Sequence, residues 1–199
     1  MDENKLKTMA ITLRWENRYR NGIKGAFLPK LATLDQDYEN ALKHRGVSSG
    51  KLLEIGTGLG LQAICYAQAG YEVTATDVSA TAMENARKNA QEEDLDAARL
   101  NFVTDNILRT KLQGTFDVIT DRGCFTTLKQ WELDDYCQNV YSLIKASGVF
   151  LMKLGVDKYA MTKALETQFK IEEQYETFYH GFQKHGPRAW FLVMKPLDL

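Results

Sequence analysis

The feature that most restricts the fold of this chain is a glycine run at a junction. Leu53-Glu54-Ile55-Gly56-Thr57-Gly58-Leu59-Gly60 joins a short apolar stretch to one with apolar residues at helical spacing. Residues 51–55 read as a buried strand, and residues 59–69 as a helix that stops at Gly70. Glycines between a strand and a helix allow a tight turn and let a ligand approach the backbone closely. Twenty-one residues beyond Gly56, Asp77 closes the next strand, expected over residues 71–76. A carboxylate at that place is suited to accept hydrogen bonds from a ribose diol.

The alternation continues to the C-terminus. Ser79 caps a helix expected to reach about residue 93, with Ala82, Met83, Ala86 and Ala90 on one face. Residues 99–103 predict a third strand ending near Asp105, residues 116–120 a fourth ending at Asp121, residues 131–145 an amphipathic helix, and residues 148–154 a fifth strand. A short helix near residues 159–166 precedes two longer strands, over 169–178 and 188–195. The turn-rich residues between those two are too few for a helical crossover, so the pair is antiparallel. Strands alternating with helices imply an α/β protein with a mostly parallel sheet covered on both faces. We expect one domain over residues 1–199, with an N-terminal helical extension over 1–46 and the core over 47–199.

Charge and cysteine usage narrow the function classes. Lys+Arg at 25 against Asp+Glu at 26 gives a formal net charge of −1, which supplies no overall drive toward nucleic acid. Cys65, Cys124 and Cys137 are odd in number and lack C-x-x-C spacing. They support neither a disulfide framework nor a thiolate metal site, and we expect no metal and a reducing, cytoplasmic location. The acidic residues after Met1, with no apolar run behind them, do not suit a signal peptide. No apolar run approaches the roughly 18 residues that a membrane span requires.

The glycine spacing and Glu54 together discriminate between ligands. A dinucleotide fingerprint places a third glycine where Leu61 stands. Glu54, just before the turn, would repel a pyrophosphate but suits a cationic or amine-bearing ligand. S-adenosylmethionine has a sulfonium, an ammonium and no phosphate, so the physical reading favours it over NAD.

Over residues 15–196 the chain resembles the class I S-adenosylmethionine-dependent methyltransferases. The resemblance rests on the E-x-G-x-G-x-G loop at Glu54–Gly60, Asp77, Asp105-Asn106, and Phe116-Asp117-Val118-Ile119 before Asp121. It implies a Rossmann-like, doubly wound, seven-stranded sheet ending in an antiparallel hairpin. It also implies that Glu54, Gly56, Thr57 and Gly58 line the methionine and ribose portion, and that Asp77 binds the ribose hydroxyls with Val78 on one adenine face. By the same resemblance Asp105 or Asn106 meets the adenine amino group, Ile107 lies against the ring, and Asp121 sits near the methionine end at the mouth of the acceptor pocket. Asp121-Arg122-Gly123, together with Trp15-Glu16-Asn17-Arg18-Tyr19, is similar to thiopurine methyltransferase-like and tellurite-resistance-like small-molecule enzymes, which adds Trp15 to the expected cofactor contacts.

Loops after the strands' carboxyl ends build the pocket in such a sheet, which makes Arg122, Phe125, Tyr179, His180 and Phe182 the acceptor-pocket candidates, with His185 a further possible base. Cys124 reads as a small packing residue. The expected reaction is methyl transfer to a small-molecule acceptor, a thiol or other heteroatom, by in-line displacement. The competing readings are a protein lysine methyltransferase, an NAD-dependent oxidoreductase and a catalytically silent cofactor binder. The part of the extension from Thr8 to Leu34, including Phe27, Leu28 and Pro29, is expected to order over the cofactor.

Overall fold

Every strand of the chain's alternating pattern joins one sheet. The computed structural model describes residues 3–22, 33–93, 95, 97–179 and 186–198. Strands β1 (Lys51–Ile55), β2 (Glu72–Asp77), β3 (Leu100–Thr104), β4 (Phe116–Arg122) and β5 (Ile144–Gly155) run parallel, in the spatial order β3-β2-β1-β4-β5. β7 (Arg188–Pro196) lies antiparallel between β5 and the edge strand β6 (Phe169–Phe178). β6 therefore points the same way as β5 and delivers Tyr179 to the end of the sheet where the parallel strands finish. The described helices are α1 (Glu3–Arg20), α2 (Gln36–His44), α3 (Leu61–Gln68), α4 (Ala80–Gln91) and α5 (Leu133–Leu143). None is long and apolar enough to cross a membrane.

Period-two alternation splits each central strand between two cores. Leu52 and Val118 face α2, α3 and α4 with Tyr38, Ala63 and Met83, while Leu53, Ile55 and Ile119 face α5 with Tyr136 and Val140. Local departures from the sequence expectation have identifiable causes. The helix expected from residue 59 begins at Leu61, because Gly60 caps it in the left-handed region at φ 76°. The helix expected over 131–145 is shorter, since residues Gln130–Glu132 form a separate 3-10 turn before α5. β5 opens at Ile144, four residues ahead of expectation, through an irregularity that pairs Phe116 with Ile144 and Val118 with Val149. The short helix expected near 159–166 is 3-10 over Val156–Thr167.

A charged group is sealed beneath the carboxyl end of β5. The Lys153 side chain is 0% exposed, and its ammonium donates to both Asp35 oxygens (2.7 and 2.9 Å) and to the Phe178 carbonyl (3.0 Å). Asp37 Oδ2 lies 2.6 Å from the same nitrogen and also accepts from Thr177 Oγ1 at 2.8 Å. Asp35 is the N-cap of α2, so one cation ties that helix to β5 and β6. Lys153→Met leaves two buried carboxylates short of their cation, and should destabilise the protein by about 3–5 kcal/mol in urea unfolding at neutral pH. A loss below about 1 kcal/mol would show that the pair is dispensable.

Candidate active site

The ends of β1, β2 and β4 open into a cavity of about 360 Å³, within the range of small-ligand sites. Its floor is the glycine turn, held to β2 by main-chain and carboxylate bonds. Thr57 N donates to the Thr76 carbonyl at 2.8 Å, and Gly58 N donates to Asp77 Oδ2 at 3.1 Å. Asp77 Oδ1 accepts from Ser79 N at 3.0 Å. Gly56 and Gly58 have φ of 68° and 58°, and a Cβ on Gly56 would lie 2.6 Å from Cys124 Cβ. Glycine is thus demanded there by backbone conformation and by the loop that closes over it. This gives Cys124 its packing role, although its residue also borders the cavity.

Two carboxylates face this floor from inside the protein. Glu54 is 4% exposed and accepts from Thr57 Oγ1 at 2.5 Å. Burial raises its pKa from 4.5 to about 7, against the opposing hydrogen bond from Thr57 and the nearby charge of Arg122. Burial likewise raises Asp77 from 3.8 to about 6, against the hydrogen bonds from Ser79 and Gly58. Buried groups that resist ionisation gain most from a ligand bringing positive charge or hydroxyl donors.

Helix α1 forms the opposite wall. Ile11, Trp15, Arg18 and Tyr19 line the cavity. Glu16 fastens this helix to the start of α4, accepting from Ser79 Oγ (2.7 Å), Thr81 Oγ1 (2.6 Å) and Thr81 N (3.2 Å). The Thr81 and Ser79 hydrogen bonds hold its carboxyl down at about 2. Ser79 also fulfils its expected capping role by accepting from Ala82 N at 3.1 Å.

The structure brings Trp15, Glu54, Gly56, Thr57, Gly58, Asp77, Val78, Asp105, Asn106, Ile107, Arg122 and Tyr179 to this one cavity. Two expected residues lie elsewhere. Asp121 is 0% exposed and sits beneath the loop instead of at the pocket mouth. It accepts from Gly123 N (2.9 Å), Cys124 N (2.7 Å), Phe125 N (2.9 Å) and Tyr136 Oη (2.5 Å), so its carboxylate is spent on holding the loop. Phe125 is 0% exposed and packs edge-on to Tyr136 at 5.2 Å, in the core and not in the acceptor pocket. His180, Phe182 and His185, with Phe27, Leu28 and Pro29 of the extension, lie outside the described residues. Sequence reasoning missed Ile11, Arg18, Tyr19 and Gln62 as cavity residues. The first three, with Trp15, follow the i, i+4, i+7, i+8 spacing of one helix face, a signal present in the sequence.

Two outcomes follow from these carboxylates. Glu54 and Asp77, with Asp121 also raised to about 6 by burial, bind protons more tightly in the folded than in the unfolded chain. The unliganded protein should therefore lose stability as pH rises from about 4 to 7 through this set, and Glu54→Gln should flatten the upper part of that fall in pH-dependent thermal melts. Glu16→Ala removes the acceptor of three bonds to α4 and should speed proteolytic cleavage within α1 while leaving the core resistant. Unchanged cleavage would mean that α1 is held by other contacts.

Comparison with known proteins agrees with this architecture. Residues 52–148 match the family model described as a methyltransferase domain. The chain is 32% identical over 108 residues to the mitochondrial ubiquinone biosynthesis O-methyltransferase of Schizosaccharomyces pombe, covering 53% of this chain and 38% of that protein. It is 33% identical over 100 residues to a release factor glutamine methyltransferase of Lactococcus lactis, covering 49% and 36% respectively. The chain thus spans just over a third of the length of these curated relatives. Among solved structures, a protein from work on conversion of a disulfide bond into a thioacetal group during echinomycin biosynthesis superposes with TM-score 0.78 at 20% identity, over 94% of this chain and 91% of that one. The magnesium protoporphyrin IX methyltransferase of Synechocystis, solved with bound S-adenosylmethionine, gives 0.70 at 16% identity over 98% of both chains. Residues 52–148 thus match a methyltransferase-domain model, and nearly the whole chain shares its fold with these two solved structures.

Proposed function

We propose that this protein is an S-adenosylmethionine-dependent methyltransferase acting on a small-molecule acceptor. The observation that carries the proposal is the buried carboxylate of Glu54 beside a glycine turn, where a dinucleotide-binding protein would receive a pyrophosphate. The residues fit the cofactor's chemistry. Glu54 and Thr57 suit its cationic methionine end, and Asp77 suits the ribose hydroxyls. The Asn106 side-chain nitrogen, buried and without a hydrogen-bond partner among the described residues, stands beside Asp105 and Ile107 where an adenine would be received. Trp15 and Tyr19 of α1 cover the glycine turn, a Cβ on Gly58 falling 2.8 Å from the Tyr19 hydroxyl.

Held by Glu54, Thr57 and Asp77, the cofactor would supply an electrophilic methyl carbon to an acceptor lone pair, with the sulfur as leaving group. The protein's part is alignment and exclusion of water, and alignment alone is worth roughly 7–11 kcal/mol in favourable systems. The glycine turn fixes the cofactor end, α1 shields it, and Thr126, Arg122 and Tyr179 bound the remaining space. A space walled by helix α1 on one side and by the β4 loop and Tyr179 on the other favours a compact acceptor over a protein side chain. A reducing, cytoplasmic setting agrees with three free cysteines.

The proposal is tested by thermal unfolding with S-adenosylhomocysteine, with NADH in parallel. At a concentration 100 times its dissociation constant, the product should add about 2.7 kcal/mol and raise the midpoint by roughly 5–10 °C. Asp77→Ala should abolish the rise. A rise with NADH alone would overturn the methyltransferase reading.

A further inference from the structure

Of Asp35, Asp37 and Arg122, the charged side chains grouped with Lys153, only Arg122 borders the cavity. Two contacts among the described residues help to fix its position. Arg122 Nε donates to Asp35 Oδ2 at 3.0 Å, and the guanidinium carbon lies 5.3 Å from the centre of the Tyr179 ring. Neither support moves easily. Asp35 caps α2 and is clamped by the buried Lys153 ammonium, while the Tyr179 hydroxyl donates to the Lys153 carbonyl at 3.2 Å. Lys153 thus holds both supports, one through its side chain and one through its backbone.

A guanidinium fixed in its plane before binding loses little further freedom when it meets a planar anion, and its fork matches a carboxylate. The cavity is also charge-graded. The carboxylates of Glu54, Asp77 and Asp105 line its glycine-turn and β3 side, and Arg122 stands with Tyr179, Thr126 and Pro187 on the other. We propose that Arg122 anchors a carboxylate carried by the methyl acceptor, and that Asp35 is the positioning residue that sets the plane of this anchor. The proposal deepens the methyltransferase reading and rests on it for the identity of the second ligand.

The test uses the full chain loaded with S-adenosylhomocysteine, and compares benzoate with benzyl alcohol by ligand-observed NMR titration. The two probes share a ring and differ in the charged group. Benzoate should bind at least about tenfold more tightly, a preference of the size a charge-assisted pair supplies. Arg122→Gln should erase the preference while leaving S-adenosylhomocysteine affinity within about twofold, and Arg122→Lys should keep only part of it. Asp35→Asn should lower the benzoate to benzyl alcohol ratio, a quantity that a general loosening of the fold would not move. The proposal is overturned by absent benzoate binding, by equal binding of the two probes, or by a preference that survives Arg122→Gln. It is equally overturned if Arg122→Gln weakens S-adenosylhomocysteine in step with benzoate, since Arg122 would then serve the cofactor's own carboxylate. If the wild-type protein fails to bind S-adenosylhomocysteine, the methyltransferase reading falls, and the probe comparison on the unloaded protein still decides whether Arg122 selects anions.

Discussion

A lysine with no exposed side-chain surface holds three distant parts of this chain together. Lys153 lies on a central strand, its carboxylate partners flank the start of α2, and its carbonyl partner ends β6. Such a pair gives little net stability over an apolar core of the same shape, but breaking it is expensive because the survivor stays buried and charged. Its effect is therefore one of arrangement. With Lys153 in place, the entry to α2, the end of β6 and the loop after β4 have one mutual geometry, and the cavity wall inherits it.

The cavity shows the opposite tendency. Glu54 and Asp77 are kept where burial resists their ionisation. The fold offsets this locally with donors from Thr57, Gly58 and Ser79, which come from the same turns that shape the site. Strain and satisfaction are thus placed side by side, with the sheet as a rigid support for both.

The parallel core was legible because each strand's apolar run and each glycine stop obey local rules. The strand pair at the C-terminus was legible as antiparallel from loop length, yet its insertion order, with β7 between β5 and β6, is a long-range choice that no local pattern encodes. The cavity residues at the glycine turn, at Asp77 and at the ends of β3 and β4 were legible in the sequence. Asp121 was misplaced because a carboxylate at a strand end serves equally well as a ligand contact or as an acceptor for the following loop, and only the direction of its side chain decides. Phe125 failed for a similar reason, since an aromatic residue in a pocket loop can turn inward. The ion group around Lys153 was overlooked although it leaves a mark in the sequence, a lysine inside the apolar run Val149-Phe150-Leu151-Met152-Lys153-Leu154. A charge in such a strand requires a partner, but the partner lies more than a hundred residues away.

The way Asp121 holds the β4 loop has a consequence for how this family of sites can diversify. Three of its four bonds go to main-chain N–H groups, which every residue except proline possesses. Asp121 consequently holds the path of residues 123–125 through groups that do not depend on their side chains. Gly123 and Cys124 are constrained by backbone conformation and by contact with Gly56, and Thr126 and Thr127 border the cavity while their hydroxyls donate to the Gly123 and Cys124 carbonyls at 2.6 and 2.8 Å. A threonine-to-serine exchange there keeps the hydroxyl bond and removes a methyl group, so it can recontour the chamber while the scaffold stands still.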